Sequence, residues 1–112
     1  MQSVAIKRAY DPPSPQDGTR ILVDRLWPRG LSKAKAGLDG WNKDVAPSPR
    51  LRTWFGHKPE RFAEFARRYR AELKHNPALA ELRALKGKVT LIYGARDPAI
   101  NHAVVLAKLL KP

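Results

Sequence analysis

The chain has 112 residues, 43% of them hydrophobic, no cysteine and a formal net charge of +12 at pH 7. That length suits one domain with a real core. The absence of cysteine excludes disulfides, thiolate nucleophiles and cysteine-based zinc sites. The N-terminal Met1-Gln2-Ser3-Val4-Ala5-Ile6-Lys7-Arg8 lacks the long apolar core of a signal peptide, and no run approaches the roughly 20 apolar residues of a membrane span. A cytoplasmic protein without a membrane partner is the expectation.

The basic excess is spread along the chain: residues 1–56 carry ten basic and five acidic side chains, residues 57–112 twelve and five. A field of that sign favours polyanions, whether nucleic acid, nucleotides or phosphorylated metabolites. A solvated basic surface with no such partner is the plain alternative.

In chain order, residues 3–10 place Val4, Ile6, Arg8 and Tyr10 on one side at period two and predict a first strand. Residues 11–19 hold three prolines and one glycine, too few residues for a helical crossover, so a second strand over 20–27 is expected antiparallel to the first. Its alternation sets Leu22, Asp24 and Leu26 against Ile21, Val23, Arg25 and Trp27. Ser32 can cap one helical turn, and Trp41, Lys43 and Val45 alternate as a short edge strand near 40–45 would. Ser48-Pro49 reads as N-cap and first position of a helix over 48–55, ended by Gly56.

The clearest periodicity is Phe62, Phe65, Ala66, Tyr69 and Leu73, the buried stripe of a helix over 59–74. Asn76-Pro77 starts another over 77–86, with Gly87 as its stop. Residues 88–94 contain Val89, Leu91 and Ile92 without alternation, as a strand covered on both faces would. Asp97-Pro98 reads as N-cap and first residue of a final helix over 98–110. Together these elements predict a single compact α/β domain, a small mixed sheet of three to four strands packed with about four helices.

Two strand-end loops carry the candidate chemistry: Asp24-Arg25-Leu26-Trp27-Pro28-Arg29-Gly30, and Tyr93-Gly94-Ala95-Arg96-Asp97-Pro98 leading to Asn101 and His102. Ligand crevices in open α/β sheets lie outside the carboxyl ends of the strands. If the two strands are parallel neighbours, Arg25, Arg29 and Arg96 converge on one edge, where planar guanidinium forks suit phosphate or carboxylate. Trp27 or Tyr93 would lie against an aromatic portion of the ligand, and Asp24 and Asn101 would orient the arginines. Each has a plainer reading: Asp24 as a structural partner for an arginine, Trp27 and Trp54 as core, Asp97 as a cap, His102 as a half-buried helix residue.

The sequence has no Walker-type glycine loop, G-x-G-x-x-G fingerprint or G-x-S-x-G elbow. Its three histidines are not at metal-ligand spacing, and neither metal nor cofactor is expected. The preferred expectation is a binder of a phosphate-bearing ligand, a nucleotide or nucleic acid. One rival is a small hydrolase using Asp24, His57 or Asp97 for proton transfer. The other is an interaction subunit for an acidic protein partner.

Asp24-Arg25-Leu26-Trp27-Pro28-Arg29-Gly30, Ala46-Pro47-Ser48, Leu51-Arg52-Thr53-Trp54-Phe55-Gly56-His57, Arg68-Tyr69, Tyr93-Gly94-Ala95-Arg96-Asp97 and Asn101-His102-Ala103 together resemble the YeaO-like branch of the domain-of-unknown-function 488 family. The resemblance covers nearly the whole chain. It departs at Gly94, where the family more often has a small residue with a Cβ, and at Pro98-Ala99-Ile100, where acidic and polar residues are usual. It implies a compact bacterial-type α/β domain and no established reaction.

Overall fold

Val89, Leu91, Ile92 and Tyr93 make residues 88–93 the most continuously buried strand of the chain, and in the computed structural model, which describes residues 1–112, that strand lies inside the sheet. The four strands are β1 (Ser3–Arg8), β2 (Thr19–Leu22), β3 (Gly40–Trp41) and β4 (Lys88–Tyr93), in spatial order β1-β4-β2-β3. β1 and β2 both pair parallel with β4, aligning Ile6 and Ile21 with Leu91 from either side, and β3 pairs parallel with β2. The fold is α/β, and the sheet is wholly parallel.

This corrects the expected mixed sheet and the antiparallel first pair. Residues 9–18 are indeed too few for a helix, yet extended chain spans at most about 3.3–3.6 Å per residue, so ten residues can return the length of a short strand without one. The connection is bolted down on the way. The Asp17 carbonyl accepts the Thr90 hydroxyl of β4 at 2.6 Å. The Asp17 carboxylate takes Lys7 of β1 at 3.1 Å and Arg20 of β2 at 2.6 Å, bridging two strands that do not touch. Gly18 completes the turn at φ 65°, where a Cβ would lie 2.4 Å from the Lys88 carbonyl oxygen, so no other residue fits.

Five helices are present, one more than expected: α1 (Lys33–Ala36), α2 (Pro49–Phe55), α3 (Phe62–Lys74), α4 (Ala78–Arg83) and α5 (His102–Leu110). α1 is the single turn capped by the Ser32 side chain. Ser48 caps α2 through Leu51 N–H, and Gly56 ends it in the left-handed region, both as the sequence indicates. α5 starts four residues later than expected. Asp97 Oδ1 accepts Ala99 and Ile100 N–H in a turn of its own, and the helix N-cap is Asn101, which accepts Val104 N–H at 3.0 Å. β1 and β2 also stop early, at Arg8 and Leu22.

α2 to α5 cover one face of the sheet. Ile21, Val23, Val89, Leu91 and Tyr93 meet Phe55, Phe65, Tyr69, Leu73 and Leu106 in one core of 19 buried residues. On the opposite face a smaller cluster of Ala9, Leu22 and Ile92 is roofed by Trp27, Leu31 and Leu38 from the segment between β2 and β3. β4 is therefore covered on both sides, which explains its lack of alternation. No helix is long and apolar enough to cross a membrane.

Candidate functional site

Because β1, β2 and β4 are parallel, the chain leaves all three at one edge, and a cleft of about 340 Å³ opens there. Tyr10 comes from beyond β1, Asp24 to Arg29 from beyond β2, and Gly94 and Ala95 from beyond β4. Asn101 and His102 belong to the start of α5. Ala46, Pro47, Arg52, Phe55, His57 and Phe65 close the helical side.

The loop after β2 is held on several sides. The Trp41 indole N–H donates to the Asp24 carbonyl at 2.7 Å, Tyr10 O–H to the Arg29 carbonyl at 2.8 Å, and the Trp27 indole N–H to the Leu31 carbonyl at 2.6 Å. The Trp27 and Trp41 rings meet edge to face at 5.4 Å. On the far wall, Tyr69 donates to the Val45 carbonyl at 2.5 Å, and Glu72 binds both the N–H and the hydroxyl of Ser48. Burial pushes the Tyr69 phenol far above its ordinary range, with the Glu72 and Asp24 charges adding to the effect, so it stays a neutral donor.

The floor of the cleft joins the two strand-end loops. Asp24 Oδ2 accepts Gly94 N–H at 2.9 Å. Its other oxygen, Oδ1, lies 3.1 Å from His102 Nε2, which also stands 3.1 Å from the Val23 carbonyl oxygen. The ring N–H is aligned on the carbonyl, so Asp24 Oδ1 is left buried with no donor aimed at it. Carbonyl and carboxylate are both acceptors, which fixes the proton of the neutral ring on Nε2.

Three guanidinium groups face this single carboxylate. Arg25 Nη2 donates to the Ala46 and Pro47 carbonyls at 3.2 and 3.3 Å, while its Nε is buried without a partner. Arg29 and Arg52 are exposed at the rim and take part in none of the five ion pairs of the molecule. His57 stands beside them at φ 57°, directly after the left-handed Gly56, with its ring 6.0 Å from Phe55.

Of the residues singled out in the sequence, the structure gathers Asp24, Arg25, Trp27, Arg29, His57 and Asn101 around the cleft. Asn101 is buried and its amide is spent on Val104 N–H and the Asp97 carbonyl. Three residues lie apart. Tyr93 is packed in the main core, its phenol pushed up chiefly by burial. Arg96 and Asp97 are exposed and do not line the cleft, because the chain turns away after Ala95. His102, named with the second loop but read as a half-buried helix residue, also lines it, and Arg52 and Tyr10 do so without having been picked out. No group of three or more His, Cys, Asp or Glu side chains is arranged to hold a metal ion.

The family model described as "Inactive DUF488-N3 subclade" matches residues 3–112. Among curated relatives, the uncharacterized protein Rv3073c of Mycobacterium tuberculosis is 51% identical over 109 residues, 96% of this chain and 92% of its own length. The uncharacterized protein Mb3100c of Mycobacterium bovis is similar to the same extent. The uncharacterized protein YeaO of Escherichia coli is 43% identical over 113 residues, 97% of each chain. No solved structure matches. With the family model spanning all but the first two residues, the chain belongs to the DUF488 family, within its inactive DUF488-N3 subclade.

Proposed function

We propose that the protein is a cytoplasmic binding domain that takes a phosphate-bearing small molecule of nucleotide size in this cleft. The observation that carries the reading is the charge of the lining, three guanidinium groups against one carboxylate, with Arg29 and Arg52 free of ion-pair partners. Arginines without partners at a concave, water-accessible rim are set up for bidentate contacts to an incoming oxyanion. The volume of about 340 Å³ falls in the range of small-molecule sites, about 300–1,000 Å³. Trp27 and Phe55 supply apolar wall for a planar group. Asp97 stands outside the cleft, and the histidine beside the Asp24 carboxylate is His102 rather than His57, which favours binding over the rival reading of acid/base chemistry by Asp24, His57 or Asp97. The description of the subclade as inactive also favours binding without turnover.

A single-stranded nucleic acid is the larger form of the same ligand. The exposed Arg50, Lys58, Arg70 and Lys74 on α2, α3 and the turn between them favour it, since they add basic charge without ion-pair partners to that of Arg29 and Arg52. The test is thermal unfolding with phosphate, pyrophosphate and AMP. A ligand selective for the folded state adds about 2.7 kcal/mol at a hundredfold excess over Kd. A rise in melting temperature that saturates with AMP supports the reading, and no rise with any of the three rejects it.

A further inference from the structure

The hydrogen bonds at the cleft floor say which ring nitrogen of His102 is offered to a ligand. Nε2 faces two acceptors, the Val23 carbonyl and Asp24 Oδ1, each at 3.1 Å. A carbonyl never donates, so the neutral ring carries its hydrogen on Nε2 and a lone pair on Nδ1. The side chain as a whole is 15% exposed. Only two side-chain polar atoms in the molecule are both buried and unpartnered, Asp24 Oδ1 and Arg25 Nε. His102 Nδ1 also makes no hydrogen bond within the protein and is not one of these two buried atoms. His102 is among the residues that line the cleft.

The ring is held in this attitude from several sides. It sits at the first position of α5, directly after the buried N-cap Asn101. The Tyr69 ring packs against it edge-on at 6.4 Å. Asp24 is itself fixed through Oδ2 by Gly94 N–H. The cleft therefore offers guanidinium donors at its rim and, when the His102 ring is neutral, one immobilised acceptor at its floor.

We propose that His102 Nδ1 accepts a hydrogen bond from a hydroxyl group of the bound phosphate compound, so that the cleft selects hydroxyl-bearing phosphate esters, such as sugar phosphates and ribonucleotides, over their deoxygenated counterparts. This rests on the anion-binding reading above and adds the second half of the ligand. The phosphate meets Arg29 and Arg52, the hydroxyl donates to Nδ1, and Asp24 with the Val23 carbonyl keeps the ring proton on the far nitrogen. Asp24 is a positioning residue in this scheme, holding the tautomer without touching the ligand.

Two matched pairs of probes test it by titration calorimetry: glycerol 3-phosphate against propyl phosphate, and AMP against 2′,3′-dideoxy-AMP. The hydroxylated member of at least one pair is expected to bind about fivefold more tightly, the worth of one neutral hydrogen bond. His102→Phe should erase that preference while retaining binding of propyl phosphate. Arg52→Ala should weaken both members of each pair alike and keep their ratio. Long-range proton–nitrogen correlation spectra of the unliganded wild type provide a readout that needs no variant, and the neutral His102 ring should show its proton on Nε2. A proton on Nδ1, or equal affinity within both pairs, overturns the hydroxyl acceptor alone. No binding of any of the four phosphates overturns both this inference and the anion cleft beneath it.

Discussion

Asp24 Oδ2 accepts the backbone N–H of Gly94 at 2.9 Å, and this bond ties the end of β2 to the end of β4 across the floor of the cleft. The approach depends on a missing atom. A Cβ on Gly94 would lie 2.9 Å from the same oxygen, and 3.7 Å from Pro28 Cβ. The carboxylate occupies the space a side chain would take, and its other oxygen is thereby set against His102.

Gly94→Ala is expected to push the Asp24 carboxylate off its backbone donor and to cost about 1–3 kcal/mol, the usual penalty for forcing a methyl into a filled site. Asp24→Asn keeps the volume, but brings an amide N–H₂ toward Gly94 N–H or His102 Nε2–H, donor against donor, at a cost of about 1–3 kcal/mol. Urea denaturation measures both. Losses under half a kcal/mol would mean that the bond does not organise the floor.

How far the sequence carries is visible at particular residues. The stripe Phe65, Ala66, Tyr69 and Leu73 is buried as its spacing requires, because a long helix has no other way to hide those side chains. Ser48, Gly56 and Ser32 act as the caps they resemble, since capping is local chemistry. The parallel pairing of β2 with β4, on which the convergence of the two loops depended, is present. What local patterns could not supply was strand order: nothing near residues 9–18 announces that β4 will enter between β1 and β2. Arg96 failed to reach the cleft because Asp97 holds a separate turn and α5 waits for Asn101. His102 was legible as the end of the second loop's run, though its place at the floor of the cleft was not. Arg52 was not, since only the packing of α2 beside the β2 loop brings it to the rim.

The two rim arginines should be separable from the general basicity of the protein. Arg29→Ala or Arg52→Ala should each shrink the AMP-induced rise in melting temperature, a charge-assisted contact being worth about 1.5–3 kcal/mol. Arg96→Ala and Lys111→Ala remove equal charge from positions that do not line the cleft, and should leave the rise nearly intact. Equal loss in all four variants would mean that AMP responds to the overall field of the molecule.

Asp17 should make stability depend on acid. Burial alone would raise its pKa, but hydrogen bonds from Lys7, Ser14 N–H and Arg20 outweigh it and hold the carboxyl below its ordinary 3.8. A depressed folded value contributes stability that is complete above 3.8 and is lost as pH falls through the folded pKa. Asp17→Asn strands Arg20, whose side chain is 5% exposed, and should cost about 3 kcal/mol at neutral pH. The difference between wild type and variant should hold from pH 7 to about pH 4 and narrow below it. A constant gap down to pH 2 would show that the fold does not lower the Asp17 pKa and that the residue acts through its hydrogen-bond geometry alone.

The outer surface of α2 and α3 makes a prediction of its own. Trp54 is held between the Arg61 and Arg68 guanidinium groups, 5.2 and 4.2 Å from its ring centre, and Arg68 is in turn paired with Glu64 at 2.8 Å. Glu64 also holds Arg67 at 2.7 Å, and these two arginines pull its carboxyl down to about 2, so their charges are partly spent at any physiological pH. Arg50, Lys58, Arg70 and Lys74 have no such partner and are the ones free to meet phosphates. A fluorescently labelled single-stranded oligonucleotide should therefore bind at low salt, with log K falling linearly against log salt at about −0.7 per neutralised phosphate. Removing both charges in Arg70→Ala with Lys74→Ala should make the slope shallower by roughly 1.4. The matched pair Arg67→Ala with Arg68→Ala should change it less, because those two guanidinium groups are already engaged by Glu64 and the free cations stay in place. Absence of binding even at low salt would exclude nucleic acid and leave the cleft to small phosphates alone.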